Sequence, residues 1–276
     1  MLRDLHNHTS ASDGTLSPLE LLKLAVERGV DELAITDHDS VDAVLALRKQ
    51  SHDFTINLIE GVEISASWGK YSIHVVGLNI DPEHSGLASL LKLQQQKRRV
   101  RALEMAHKMQ KAGVEQALVD VELMLQQQNM VCRTHLAQYL LEKGVVNNFA
   151  NAFKKYLAKG GKAFVKDDWF ELADAVAIIK KAGGVAVLAH PTRYKMGANQ
   201  LHQLIQDFQR MGGEAIEVCY PNIHPGKKNL LANWAQKYNL LGSQGSDFHS
   251  PDKTWALLGK FPPMPEAVTP VWTKWQ

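Results

Sequence analysis

His6 and His8 stand two residues apart in Asp4-Leu5-His6-Asn7-His8. Positions i and i+2 of a strand project to the same side, so this pair offers two imidazoles to one metal ion. Asp13 follows in the turn Ser12-Asp13-Gly14, and the same spacing recurs near the other end in Asp247-Phe248-His249. Thr36-Asp37-His38-Asp39 sets three ionisable residues directly after Leu33-Ala34-Ile35, which makes a poor core and a good site. Glu63 stands between Val62 and Ile64, His74 between Ile73 and Val75, and His190-Pro191 closes the apolar run 185–189. Each has an ordinary explanation alone: an exposed pair near the terminus, helix capping by Asp37 or Asp39, a hydrogen-bonded core histidine at 190. Together, six of the twelve histidines fall at expected strand ends with Asp13, Glu63 and Asp247, and a divalent metal cluster accounts for all of them at once. Mixed imidazole and carboxylate donors suit Mn²⁺, Zn²⁺ or Fe²⁺ better than Ca²⁺ or an all-oxygen Mg²⁺ site.

The elements that must carry these residues follow a repeated unit: a helix ending at Gly, a short apolar strand, then an ionisable residue. The first copy begins at Ser17-Pro18-Leu19-Glu20, with an N-cap, a Pro at the first helical position and a capping-box Glu, and runs through Gly29 to a strand over 30–36. Further copies pair helices at 172–184, 201–213 and 229–238 with strands at 185–189, 214–218 and 240–245. With strands at 2–8, 55–65 and 71–78 the total is about seven, and strands alternating with helices indicate a parallel sheet. A barrel fits better than an open doubly wound sheet, because it brings every strand end to one face. The stretch from about Leu87 to Lys166 breaks the rhythm, with at least three helical segments and no strand. The expected organisation is a barrel of residues 1–86 and 167–276 with a helical insertion at 87–166.

The chain is long enough for one barrel with a full core. Its net charge of +2 hides an asymmetry: residues 95–166 hold 13 Lys and Arg against 5 Asp and Glu, an excess of +8 that leaves −6 elsewhere. Such a segment suggests an anionic partner, or simply a solvated helical surface. No apolar run approaches the ~20 residues of a membrane span, the N-terminus lacks the apolar stretch of a signal peptide, and the two cysteines, Cys132 and Cys219, do not form a disulfide framework. The expected location is the cytoplasm, with no membrane association and no obligate protein partner.

The ordered set Asp4-Leu5-His6-Asn7-His8-Thr9, Ser12-Asp13-Gly14, Thr36-Asp37-His38-Asp39, Gly61-Val62-Glu63, His74, Ala189-His190-Pro191 and Gly245-Ser246-Asp247-Phe248-His249 resembles the polymerase and histidinol phosphatase (PHP) family over nearly the whole chain. The resemblance implies an α/β fold, a distorted seven-stranded (β/α) barrel, and a trinuclear site of divalent ions, Mn²⁺ first, with Zn²⁺ or Fe²⁺ as alternatives. By that resemblance His6, His8, Glu63 and Asp247 hold one metal, Glu63, His74 and His190 a second, and Asp13, His38 and His249 a third. Some members carry His where this chain has Asp13. Asp37, beside His38, is placed to orient that ligand or a bound water, and His190 is the other catalytic candidate.

Within the family the chain is most similar to a branch of nucleoside 3′,5′-bisphosphate phosphatases and 5′-to-3′ exoribonucleases, marked also by Val131-Cys132-Arg133-Thr134-His135 and Phe153-Lys154-Lys155-Tyr156 in the insertion. The expected substrates are small phosphorylated nucleotides and 5′ ends of short single-stranded RNA. Arg133, Thr134 and His135, with Lys162 or Arg193, would bind the phosphate that does not react. A histidinol-phosphate-type phosphatase and a non-catalytic metal-binding module remain as alternatives. The basic insertion argues against the first and the complete ligand set against the second.

Overall fold

The structure, a computed structural model, describes residues 1–50, 55–128 and 130–276. Strands and helices follow in the order β1 (Arg3–Asp4), α1 (Pro18–Glu27), β2 (Glu32–Ile35), α2 (Asp42–Lys49), β3 (Asn57–Trp68), β4 (Tyr71–Leu78), α3 (Ser85–Lys111), α4 (Ala117–Gln127), α5 (Arg133–Glu142), α6 (Phe149–Ala152), β5 (Phe170–Glu171), α7 (Leu172–Lys181), β6 (Val185–Leu188), α8 (Ala198–Arg210), β7 (Ala215–Cys219), α9 (Pro225–Lys237) and β8 (Leu241–Gln244). A π-helical turn, Phe153–Leu157, continues α6. The capping box of Ser17 and Glu20 opens α1 as its sequence signals. No described helix is long and apolar enough to cross a membrane.

The sheet runs β1-β2-β3-β4-β6-β7-β8, with β5 paired on β3. It closes through irregular bonds rather than a regular ladder: Leu5 N donates to Gln244 O at 3.1 Å, Asp247 N to His6 O at 2.9 Å and His8 N to Phe248 O at 2.9 Å. The result is the nearly closed seven-strand α/β barrel of the expected class. Leu5, Ala34, Ile59, Val76, Val187 and Ala215, drawn from six of its staves, form one apolar cluster. The helices α7, α8 and α9 pack outside on a larger one.

The parallel alternation fails at one stave. Trp68 and Tyr71 flank a two-residue turn, and β4 returns antiparallel to β3 and lies antiparallel to β6. Gly69 supplies the positive φ of +57° that such a tight hairpin needs. His74 therefore enters from the first half of its strand, whereas His38, His190 and Asp247 follow theirs.

After β4 the chain leaves the barrel along α3. Leu87 and Leu91 of this helix belong to the barrel's outer core, while Ala102, Met105 and Met109 belong to a separate core formed with α4, α5 and α6. Between the two lies a polar joint. Arg98 Nε donates to Asp39 Oδ2 at 2.7 Å and Nη2 to Ser65 Oγ at 2.7 Å. Gln94 Nε2 donates to Ser65 O at 2.7 Å. Arg98 and Asp39 are both buried. Removing one partner of a buried ion pair leaves the other charge uncompensated. Arg98→Met should therefore lower stability by about 3–5 kcal/mol, and the pair Arg98→Met with Asp39→Asn by clearly less. Denaturant midpoints read this, and equal losses for the single and double variants would refute the pairing as the source.

Candidate active site

The strand ends turn their side chains inward by local backbone distortion. Asp39, His190 and Asp247 adopt positive φ of 46°, 30° and 52°, a conformation that costs energy for a non-glycine residue and marks sites held by their surroundings. Glycine is required beside them: a Cβ on Gly245 would lie 2.4 Å from His6 Cβ, and one on Gly14 2.3 Å from His8 O. These glycines let the loops at 12–14 and 245–249 close onto the paired histidines.

Glu63 stands at the centre. Its Oε1 lies 3.0 Å from His74 Nδ1, 3.2 Å from His190 Nε2 and 3.3 Å from His6 Nε2. Its Oε2 lies 2.8 Å from His38 Nδ1 and 3.4 Å from His8 Nε2. Asp247 Oδ1 is 3.2 Å from His8 Nε2, and Asp13 Oδ1 is 3.3 Å from His249 Nε2. All nine residues expected as metal ligands are thus brought together. Their donor atoms fall into four overlapping groups of metal-binding size: His6, His8 and Asp247; His6, Glu63 and His190; His38, Glu63 and His74; and His8, Asp13, His38 and His249.

The donor set fits divalent ions on an observation independent of family. His8 Nδ1, Asp13 Oδ1, His38 Nδ1, Glu63 Oε2, His74 Nδ1 and His190 Nδ1 are buried with no partner in hydrogen-bonding geometry, although several lie close to another ligand atom, and buried polar atoms are rarely left so. Burial alone would raise the Glu63 carboxyl, but His74, His6 and His38 around it hold it well below the usual carboxylate range. Burial, reinforced by His249 and His38, pushes His8 down to about 3, so it presents a neutral imidazole. A neutral imidazole and an ionised carboxylate are the forms that ligate metals. Burial alone would lower His6, His38 and His249 too, but the carboxylates beside them push these three up, so an ion binding there displaces protons.

Supporting residues escaped the sequence reading. Glu217, in the middle of β7, sits 2.6 Å from His6 Nδ1 and accepts from His190 N at 2.5 Å. A carboxylate on the far nitrogen fixes the tautomer and aim of a ligating imidazole. Its signal was available, since Glu217 in Ala215-Ile216-Glu217-Val218 has the same apolar setting as Glu63. Asp4 accepts from Ser246 N at 2.8 Å and from Gly259 N at 2.7 Å, tying the first and last staves together. The Asp37 carboxylate makes its hydrogen bonds away from His38. Its oxygens accept from Thr9 N and Thr9 Oγ1, both at 2.7 Å, and from Ser12 Oγ at 2.5 Å. It therefore holds the turn that carries Asp13, and its hydrogen bonds go to neither His38 nor a ligand atom.

The insertion reaches the cluster through α5. Thr134 Oγ1 donates to Asp13 Oδ2 at 2.7 Å. Arg133, Arg98 and Arg101 join Asp13, His38 and His74 around a cavity of about 130 Å³. Arg133 Nη1 lies 3.7 Å from Asp167 Oδ2, and Arg101 is paired with the same carboxylate. Arg98 and Arg101 lie three apart on one face of α3, their guanidinium carbons 5.0 and 4.5 Å from the Trp169 ring centroid. The run Arg98-Arg99-Val100-Arg101 carried that signal.

Two residues expected in the phosphate-binding set, His135 and Lys162, are not among those lining the arginine cavity. His135 Nδ1 accepts from Cys132 N at 3.0 Å, so the imidazole closes the first turn of α5. Lys162 is exposed and lines a different concavity, with Lys108 and Lys111. Bonds from Lys162 N to Lys155 O and from Ala163 N to Tyr156 O fold its segment back onto the π-helical turn. Arg193 does reach the cluster, paired with Asp247.

The model of the PHP domain family matches residues 4–211. A 5′-3′ exoribonuclease of Haemophilus influenzae is 41% identical over 271 residues, covering 98% of each chain. A 3′,5′-nucleoside bisphosphate phosphatase of Chromobacterium violaceum is 37% identical, covering 98% of this chain and 94% of that one. Among solved structures, one from Chromobacterium violaceum, described as an amidohydrolase with bound sulfate and no metal, aligns with a TM-score of 0.91. It is 36% identical and covers 99% of this chain and 95% of that one.

Glu217 provides a test of the metal reading that needs no substrate. Glu217→Gln should weaken Mn²⁺ binding by about 10–100-fold, as loss of a carboxylate behind a ligating histidine does. Calorimetric titration of the metal-free protein measures this, and unchanged affinity would remove Glu217 from the site.

Proposed function

The chain belongs to the PHP domain family, and on that premise we propose that it is a metal-dependent phosphoesterase acting on nucleoside 3′,5′-bisphosphates and on 5′ ends of short RNA. The observation that carries the proposal is the pairing of two sites: six imidazoles and three carboxylates converge at the barrel mouth, and an arginine-lined cavity opens beside them. A substrate with two phosphates needs both.

His6, His8, Glu63 and Asp247 would hold one ion, Glu63, His74 and His190 a second, and Asp13, His38 and His249 a third. Mn²⁺ is our first assignment, with Zn²⁺ or Fe²⁺ as the alternatives for this donor set. Divalent ions held there offset the charge of a phosphate ester and supply a nucleophile from water at neutral pH. The chain's own residues do the rest. Glu217 keeps His6 aimed at the cluster. Thr134 ties Asp13 to α5, so the insertion and the ligand move as one. Arg133 presents paired donors that match phosphate oxygens. Asp167, shared by Arg101 and Arg133, keeps two like charges side by side until an anion arrives. Both cysteines are unpaired, which supports a reducing compartment such as the cytoplasm.

The direct test is product analysis with Mn²⁺ on a 3′,5′-bisphosphonucleotide beside a short 5′-phosphorylated RNA. Release of phosphate from the first and of mononucleotides from the 5′ end of the second is expected, and inertness toward both would refute the proposal. Arg133→Ala should cost about 1.5–3 kcal/mol in kcat/KM on the bisphosphonucleotide, the worth of a charged hydrogen bond. A substrate carrying only the reacting phosphate should barely respond. Equal losses on the two would assign Arg133 to the structure of α5 instead.

A further inference from the structure

The arginine cavity lies on the Asp13 and His38 side of the cluster. On the Asp247 flank there is a second concavity of about 250 Å³. Arg193 connects it to the cluster, because the guanidinium paired with Asp247 also lies 5.2 Å from the Tyr220 ring centroid and 5.7 Å from that of Trp255. Arg193 Nη2 is buried without a hydrogen-bond partner. Trp255 is 52% exposed, an unusual state for an indole in a water-facing loop. Asn222 Nδ2 donates to Trp255 O at 3.0 Å, which ties the backbone of this loop to the one after β7. Lys227, in the first turn of α9, adds positive charge, and no carboxylate among the described residues lines the concavity. An exposed aromatic face beside cations is what stacked bases and a phosphodiester backbone require.

The direction of the substrate follows from the reading already proposed, on which this inference rests. An enzyme that removes nucleotides from the 5′ end cuts the linkage on the 3′ side of the first one. With the terminal 5′-phosphate in the arginine cavity and that linkage at the ligand cluster, the rest of the RNA must leave along another flank. We propose that the Trp255 concavity binds the nucleotide on the 3′ side of the scissile linkage. Its base stacks on Trp255, and its 3′-phosphate is drawn to Lys227 and the Arg193 guanidinium. A mononucleoside bisphosphate has no such nucleotide and leaves the concavity idle.

The subsite separates the two substrates, and the experiment uses that. Mn²⁺-loaded wild type, Trp255→Ala, Trp255→Phe and Lys227→Ala are compared on a 5′-phosphorylated trinucleotide and a 3′,5′-bisphosphonucleotide. Trp255→Ala should lower kcat/KM on the trinucleotide about 10-fold or more, the usual worth of one stacked base, and leave the bisphosphonucleotide within about twofold of wild type. Trp255→Phe, which keeps an aromatic face, should lose less, and Lys227→Ala should flatten the salt dependence on the trinucleotide alone. In the metal-free protein, Trp255→Ala should weaken trinucleotide binding measured by fluorescence anisotropy. Loss on both substrates alike, or on neither, overturns the subsite while the phosphoesterase reading stands. If the wild type cleaves the bisphosphonucleotide and no RNA, the exoribonuclease reading falls and the subsite falls with it.

Discussion

Glu63 lies fully buried at the barrel mouth with five imidazoles between 2.8 and 3.4 Å from its oxygens. Taking a carboxylate out of water costs several kcal/mol unless positive charge or donors replace its hydration. Here the replacement is a ring of histidines, themselves short of partners. Such an arrangement has excess electron pairs pointing inward, and a divalent ion is the agent that satisfies donors of both kinds together. The fold answers the same constraint. Only strand ends from several staves can deliver imidazoles to one point from several directions, and the reversal of β4 lets His74 approach from a side that a strictly parallel barrel would leave to a loop.

A layer of further buried carboxylates makes the ring rigid. Glu217 holds His6 and the backbone of His190, Asp4 joins the first stave to the last, Asp37 fixes the turn of Asp13, and Asp39 anchors Arg98. Each accepts hydrogen bonds from a different segment of the chain, so those segments cannot drift independently. The same layer transmits the insertion to the site. Arg98 ties α3 to the loop after β2, and Thr134 reaches Asp13 from α5. The basic helical segment is thereby held in place as one wall of the cluster.

Much of this was legible in the chain. The i, i+2 spacing of His6 with His8 and of Asp247 with His249 encodes a shared face whatever the partner strands are. Ser17 and Glu20 encode the start of α1 within four residues. What was not legible depends on pairing between distant segments. Tyr71–Leu78 reads as a strand in either direction, and only the hairpin with β3 sets its sense. His135 and Arg133 look alike as polar residues after Cys132. Which one caps α5 and which faces the cavity depends on where the helix lies. The charge of Lys162 is visible in the sequence, but backbone bonds to 155 and 156 fold its segment back onto the π-helical turn. Arg101 and Trp169, 68 positions apart in sequence, meet only because α3 packs against the segment returning to the barrel.

The ligand ring and the divalent ions it is proposed to hold form a single functional unit, flanked on one side by arginines and on the other by an aromatic shelf. The most direct test measures metal content and turnover on one preparation as ions are stripped by a chelator and then restored. The account predicts that turnover of a 3′,5′-bisphosphonucleotide falls with the ions and returns in proportion to the ions rebound. Full turnover by protein shown by elemental analysis to be metal-free would contradict it.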